Sequence, residues 1–438
     1  MEKLKQKKTK LTKHTKQKII RRNNANNYPF YKMFSWDLLC FYSIEFLFYT
    51  ITKGISVSEV LILNAFFILF KILMQVPAVT ITDILGHRKS LILGNSLIAL
   101  YLVVLMLSPN IVVMILAYLI RGLGYDIKVI VETNLLYDSV STKGGEGLYS
   151  KLDSKGASWY FWLDGILCLV AGYLFVINNY LPMFISLGFT VLSIILSFRF
   201  KDVKTKEKQG EEEKVKISQS LKEYMADLRN SVGFIVKSNR MKAYIAFGSI
   251  FYGIITVFDI YRSELLISKG VPEEQYSMIF AILIILAGVS VTLSRRIHKK
   301  FKNKTLTVVS LAYVLSCIVV GIVANITTKN IAIPIIIIMY AIMKMCTSVW
   351  YILEYKYLKN FTTEKMRNKI SFTYESIVGI VMAIFSIVGS LILKYFSVER
   401  TFLLVGLASF AGIILVIDYM KPRFGLRPKE YRKEDINL

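Results

Sequence analysis

Apolar runs of about 20 residues recur along the whole of this 438-residue chain, and they leave few folds open. At ~1.5 Å of rise per residue, such a run as a helix spans the ~30 Å hydrocarbon core of a bilayer. No stretch alternates apolar and polar residues as a barrel strand does. In lipid, every backbone N–H and C=O needs a partner within its own segment, so the runs are helices. Twelve are predicted, over 30–52, 57–83, 90–108, 111–137, 156–177, 181–199, 243–267, 275–294, 305–325, 331–355, 369–393 and 400–419. With 54% hydrophobic residues and a mean hydropathy of +0.50, a soluble enzyme is excluded.

Loop charge tests the count. With both termini cytoplasmic, the inside segments hold 45 of the 55 Lys and Arg. The outside loops hold six: Lys53, Arg262, Lys269, Lys329, Lys394 and Arg400. The other four, Lys71, Arg121, Lys128 and Lys344, fall inside predicted helices. This asymmetry follows the positive-inside rule. It accounts for the net charge of +25 without nucleic acid as a partner. The basic stretch from Lys3 to Arg22 reads as a topology determinant that attracts anionic inner-leaflet lipid. It lacks the apolar core and cleavage site of a signal peptide.

Cys40, Cys168, Cys317 and Cys346 all fall in predicted helices, which favours free buried thiols over disulfides. With three His, none in a membrane segment, no metal site is expected. The domain reading is a basic cytoplasmic tail (1–29), a six-helix half (30–199), a cytoplasmic linker (200–242), a second six-helix half (243–420) and a cytoplasmic tail (421–438). In the linker, Ile217, Leu221, Tyr224, Met225, Leu228, Val232 and Ile235 recur at helical spacing. That pattern predicts an amphipathic helix on the inner membrane face.

Between the second and third segments the chain reads Asp83-Ile84-Leu85-Gly86-His87-Arg88-Lys89. An acid, a glycine three residues on and a basic cluster form a tight turn at a membrane face. The turn resembles the signature loop of the major facilitator superfamily, Gly-x-x-x-Asp-(Arg/Lys)-x-Gly-Arg-(Arg/Lys). Val79 stands where the first Gly is expected, Ile84 where a basic residue is, and His87 where Arg is. Arg121-Gly122-Leu123-Gly124 resembles the family's Arg-x-x-x-Gly motif. Leu135-Leu136-Tyr137-Asp138-Ser139, and the linker from Ser220 to Lys242, resemble runs in bacterial efflux-type members.

The resemblance implies an all-α fold of twelve transmembrane helices in two six-helix halves, with the substrate site near the midplane. It implies that Asp83, Gly86, Arg88 and Lys89 form a conformational latch. Asp83 would meet the N-terminal end of the eleventh helix near Asn368–Ser371, and Arg88 and Lys89 would pair with Asp138 or lipid phosphates. The corresponding loop of the second half, Ser294 to Lys300, has the basic cluster without Asp or Gly, so the latch is one-sided. The fifth segment has Gly165 and Gly172 but no Gly-Pro pair, unlike the drug/proton antiporters of the family.

A charge inside a bilayer costs several kcal/mol unless paired or solvated, so each one is a functional candidate. Glu45, Lys71, Arg121, Asp126, Lys128, Glu132, Asp164, Asp259, Lys344 and Glu375 are such residues. At 100° per residue, Arg121 and Glu132 each lie about 20° from Lys128, and Asp126 lies about 140° from Arg121. The first three form a polar stripe that must face the bundle interior. Glu45, Glu132 and Asp126 are the candidate proton carriers, with Arg121 tuning a neighbouring carboxylate. Lys71, Lys128 and Lys344 can hold an anionic or zwitterionic substrate. The bland alternative is packing pairs, Glu45 with Lys71 and Lys128 with Glu132. Trp36, Tyr160, Trp162, Trp350 and Tyr351 either line a cavity or serve packing.

The expectation is a secondary active transporter, not an enzyme, working by alternating access. It would export a small amphipathic or zwitterionic compound in exchange for protons, as a monomer in a bacterial cytoplasmic membrane. Its energy source would be the proton gradient, with no cofactor. Uptake of a nutrient or organic anion is the alternative, and a polytopic lipid-handling protein is a third reading.

Overall fold

The computed structural model describes residues 2–140, 145–203, 226, 229–301, 304–327, 329–361 and 367–424. Twelve long helices run through them. They are α1 (Glu2–Ser35), α2 (Val57–Leu85), α3 (His87–Leu107), α4 (Ile111–Val140), α5 (Gly145–Ile177) and α6 (Leu181–Ser197), then α7 (Asn239–Ser268), α8 (Glu273–Phe301), α9 (Thr305–Ile326), α10 (Lys329–Phe361), α11 (Arg367–Tyr395) and α12 (Val398–Phe424).

Among the described residues, nine helices are long and apolar enough to cross a bilayer: α2, α3, α5 and α7 to α12. The difference from the twelve predicted segments has physical causes. α6 is apolar but only 17 residues long. α4 is long but carries Arg121, Asp126, Lys128 and Glu132. The third case is the first predicted run, which is not one helix. The chain is an all-α polytopic membrane protein.

That first run was predicted as a helix over 30–52. Instead α1 starts at Glu2, passes through Pro29 and ends at Ser35. Tertiary contacts hold it. Asn24 donates to Ser139 Oγ (3.2 Å) and to the Lys201 carbonyl (2.8 Å). Tyr28 and Tyr31 are buried in a core with Leu91, Ile127, Val131, Leu135 and Phe200. The helix stops where the Lys128 ammonium takes the carbonyls of Ser35 and Trp36. Carbonyls of a last turn have no partner in their own helix, and a cation suits them. Asp37 then accepts from Leu38 N (2.8 Å), and Cys40 adopts φ 70°, a left-handed conformation rare for a side-chain-bearing residue. The chain re-forms as a 3-10 turn (Tyr42–Ile44), one α turn (Glu45–Leu47) and a π turn (Phe48–Thr52).

The chain forms two compact units, Met1–Ser43 with Leu73–Leu221, and Ile44–Ile72 with Lys222–Leu438. In the first, α3 and α4 pack at Gly94 and Gly124. A Cβ on Gly124 would stand 2.8 Å from Leu97 Cβ and 3.0 Å from the Gly94 carbonyl oxygen. Small residues at such a crossing let membrane helices approach closely.

In the second unit, α7 packs against α11, α12 and α10. Its Gly248 and Gly253 leave room for Tyr374 and Phe385. Trp350 is fully buried against Tyr244, Phe247, Phe251 and Tyr252. The opening half of α2 packs there too. Ser58 donates to the Ser390 carbonyl (3.0 Å), and Asn64 Nδ2 donates to Ser386 Oγ (3.4 Å). Of the expected amphipathic linker helix, Val232 is exposed and Ile235 buried. Ile217, Leu221, Tyr224, Met225 and Leu228 lie outside the described residues.

Candidate functional site

The polar stripe of α4 faces the interior of the first unit. Arg121, Asp126, Lys128 and Glu132 are all buried. The Arg121 guanidinium lies over the rings of Tyr101 and Tyr118, 5.2 and 5.6 Å from their centroids. Its Nη1 donates to the Tyr101 hydroxyl (3.4 Å), and its Nη2 stands 3.9 Å from Asp37 Oδ1. The Asp37 side chain is 33% exposed, so water screens this pair and it is worth about 1 kcal/mol or less. Asp37 is therefore held near the cation but remains open to another partner.

Two turns further on, Lys128 caps the end of α1 as described. Glu132 Oε1 accepts from the Tyr31 hydroxyl (2.9 Å) and from Ser35 Oγ (3.1 Å). Asn95 Nδ2 donates to the Tyr31 oxygen (2.9 Å) and to Ser197 Oγ (3.1 Å). Lys128 and Glu132 lie within electrostatic range of each other, but their hydrogen bonds go elsewhere. The break after α1 comes between them, giving carbonyls to the ammonium and hydroxyls to the carboxylate. Glu132 is thus a buried acid at the end of a hydroxyl and amide relay, in a layer where unsatisfied polar groups are expensive.

These groups surround a cavity of about 20 Å³, room for about one water molecule. Phe34, Asp37, Asn95, Arg121, Tyr125 and Lys128 are among its walls. It offers one carboxylate, two cations, amide and hydroxyl groups and aromatic faces. Sequence reading found Arg121 and Lys128 but missed Asp37, Asn95 and Tyr125. For Asp37 the signal was present: an acid within the apolar run 30–52.

The remaining candidates divide. Asp164 of α5 is buried beside Cys168, which lies close to Ser43 and Cys40. Trp36 stacks on Tyr160 (centroids 6.0 Å apart) with the Lys32 ammonium 4.2 Å from its own ring centre. Trp162 is exposed. In the second unit, Glu45 accepts from the Tyr49 hydroxyl (2.7 Å), and Lys71 lies within electrostatic range of Glu375. Arg262, counted with the outside loops from sequence, lies inside α7, buried and 3.2 Å from Asp259. Glu354, which sequence reading passed over at the end of a predicted segment, accepts from the Tyr252 hydroxyl, while its backbone carbonyl accepts from Tyr244 (2.9 Å).

The Asp83 turn is built locally. Asp83 is exposed near the end of α2, and Gly86 (φ 76°) makes the sharp reversal into α3. The Asp202 carboxylate accepts from Arg88 N (2.9 Å), capping the positive N-terminus of α3. Sequence reading missed His87 as a partner of Asp138. His87 Nε2 meets Asp138 Oδ2 at 3.2 Å, because His87 opens the helix on the buried side while Lys89 is exposed.

The first unit thus holds a charged cavity, in a chain with nine membrane-length helices among its described residues. A family model described as Major Facilitator Superfamily matches residues 33–343, and the chain belongs to that superfamily. Solved structures share the fold. The nucleoside transporter NupG aligns over 92% of this chain and 99% of its own, with a TM-score of 0.71 and 10% identity. A D-xylose-proton symporter aligns over 94% and 99%, with a TM-score of 0.64 and 13% identity. A POT family transporter in complex with a thioalcohol conjugated peptide aligns over 93% and 96%, with a TM-score of 0.61 and 13% identity. No curated protein matched.

Proposed function

We propose that this transporter moves a small amphipathic or zwitterionic compound by alternating access, exporting it from the cytoplasm in exchange for protons. The observation that carries the reading is the mixed charge of the first unit's cavity. Asp37, partly open to solvent, suits a substrate ammonium. Arg121 and Lys128 suit a carboxylate, and Phe34 and Tyr125 supply apolar faces. Glu132 carries the proton. Its hydroxyl partners from Tyr31 and Ser35 can serve either protonation state, since a hydroxyl both donates and accepts. The turn of Asp83, Gly86, Arg88 and Lys89 acts as a conformational latch. The protein sits in a cell membrane as a monomer, its basic N-terminal stretch drawn to anionic lipid. Export is favoured by the sequence resemblance of residues 135–139 to efflux-type members.

The test is accumulation of a compound panel in inverted membrane vesicles, with proton flux recorded alongside. Wild type should accumulate at least one zwitterionic or amphipathic compound and release protons as it does so. Glu132→Gln, whose amide oxygen still accepts from Tyr31 and Ser35, should bind that compound without moving protons. If no compound accumulates and no substrate-induced proton flux appears, the reading fails.

A further inference from the structure

The second unit holds a cluster of hydrogen-bond donors with an excess of positive charge. On α7, Tyr252, Asp259 and Arg262 fall on one face by helical spacing. Arg262 is buried, its guanidinium 4.8 Å from the centre of the Phe280 ring, and its Nη1 pairs with Asp259 Oδ1 at 3.2 Å. Lys344, on α10, lies within electrostatic range of both. Two cations thus share one carboxylate, and that carboxylate's side chain is 44% exposed. Two buried donors in this part of the unit find no hydrogen-bond partner among the described residues. They are Arg262 Nε and the hydroxyl of Tyr313, which lies within electrostatic range of Arg262 and Asp259. Tyr313 and Trp350 both pack edge-on to Phe251, with centroids 5.5 Å away in each case.

A buried donor without a partner costs about 1–3 kcal/mol, more when charged. A single one is tolerable strain. Two beside a surplus cation are chemically one-sided, since each would be satisfied by the same kind of group, an anionic oxygen. The Phe280 ring, 4.8 Å from the guanidinium, offers a planar apolar body a face to pack on.

We propose that this cluster is a binding subsite for an organic carboxylate, with Arg262 and Lys344 meeting the charge and Tyr313 donating to it. The inference rests on the transport reading and deepens it: besides the cavity of the first unit, the second unit offers a site of its own to a carboxylate attached to a flat apolar group. Arg262 binds the anion while Asp259 orients the guanidinium.

Benzoate is the probe, with neutral benzamide as the control. Binding to the full chain in lipid nanodiscs is read by calorimetry and by tryptophan fluorescence. Benzoate should bind and benzamide should not. Lys344→Gln should weaken benzoate at least tenfold, and Tyr313→Phe several-fold. Tyr313→Phe keeps the ring and removes only the partnerless hydroxyl, so it guards against misfolding as the cause. Benzamide binding as well as benzoate would overturn the subsite. So would benzoate affinity untouched by both variants but lost in Lys128→Gln. If benzoate binds as stated while no compound is transported in vesicles, the subsite stands and the transport reading fails. If transport proceeds and benzoate does not bind, the reverse holds.

Discussion

Replacing Gly124 with Ala should loosen the α3–α4 crossing that carries the charged stripe. The new methyl would meet Leu97 Cβ at 2.8 Å and the Gly94 carbonyl oxygen at 3.0 Å, neither of them the far end of a flexible side chain. Overpacking of this kind costs ~1–3 kcal/mol. Ala is about 0.5–1 kcal/mol better than Gly inside a helix, which offsets part of that. The net loss is about 0.5–2 kcal/mol. For a unit of this size each kcal/mol moves the midpoint ~2–4 °C, so Tm should fall by about 1–8 °C. Gly165→Ala is the control, because its Cβ would meet nothing within 4 Å. It should raise Tm by about 1–4 °C through helix propensity alone. Thermal unfolding of the purified protein, followed by tryptophan fluorescence, reads both. A Gly124→Ala variant melting at or above wild type, or both variants shifting together, would refute the close-packing argument.

Two further outcomes are accessible. Asp202→Ala should remove the carboxylate that accepts from Arg88 N and destabilise the start of α3 by about 0.5–2 kcal/mol, visible as faster amide exchange at His87–Ser90. Burial holds the Lys53 ammonium below the usual lysine range, so the folded protein releases that proton at a lower pH than the unfolded chain. Lys53 should therefore react faster than Lys16 with an amine reagent between about pH 8 and 9, and an impermeant reagent should reach it from outside in intact cells. Labelling from inside alone would invert the topology.

The sequence revealed what depends on local pattern. Membrane helices follow from run length, and the shared face of Arg121, Lys128 and Glu132 follows from helical geometry. It did not reveal what depends on a partner far along the chain. The end of α1 at Ser35 has no local cause strong enough to predict it, since Pro29 lies inside the helix and is tolerated. The break is set by the ammonium of Lys128, 93 residues away. Once the chain breaks, Asp37 moves from an expected helix interior to the wall of a cavity. His87 was missed as a partner of Asp138 for a similar reason. His87, Arg88 and Lys89 are all basic, and only packing decides which of them turns inward. Arg262 was counted with the outside loops although it falls within the predicted segment 243–267, and Asp259 one turn earlier allows it to stay buried.

The claim that matters most is that the cavity of the first unit reads both ends of a zwitterion, with Asp37 taking the ammonium. The direct measurement compares initial transport rates for a zwitterion that wild type carries and for its N-acetyl derivative, in reconstituted liposomes. Wild type should favour the free amine at least tenfold, and Asp37→Asn should lose that preference while keeping its fold. Equal rates for the two compounds in wild type, or full discrimination retained by Asp37→Asn, would contradict the account.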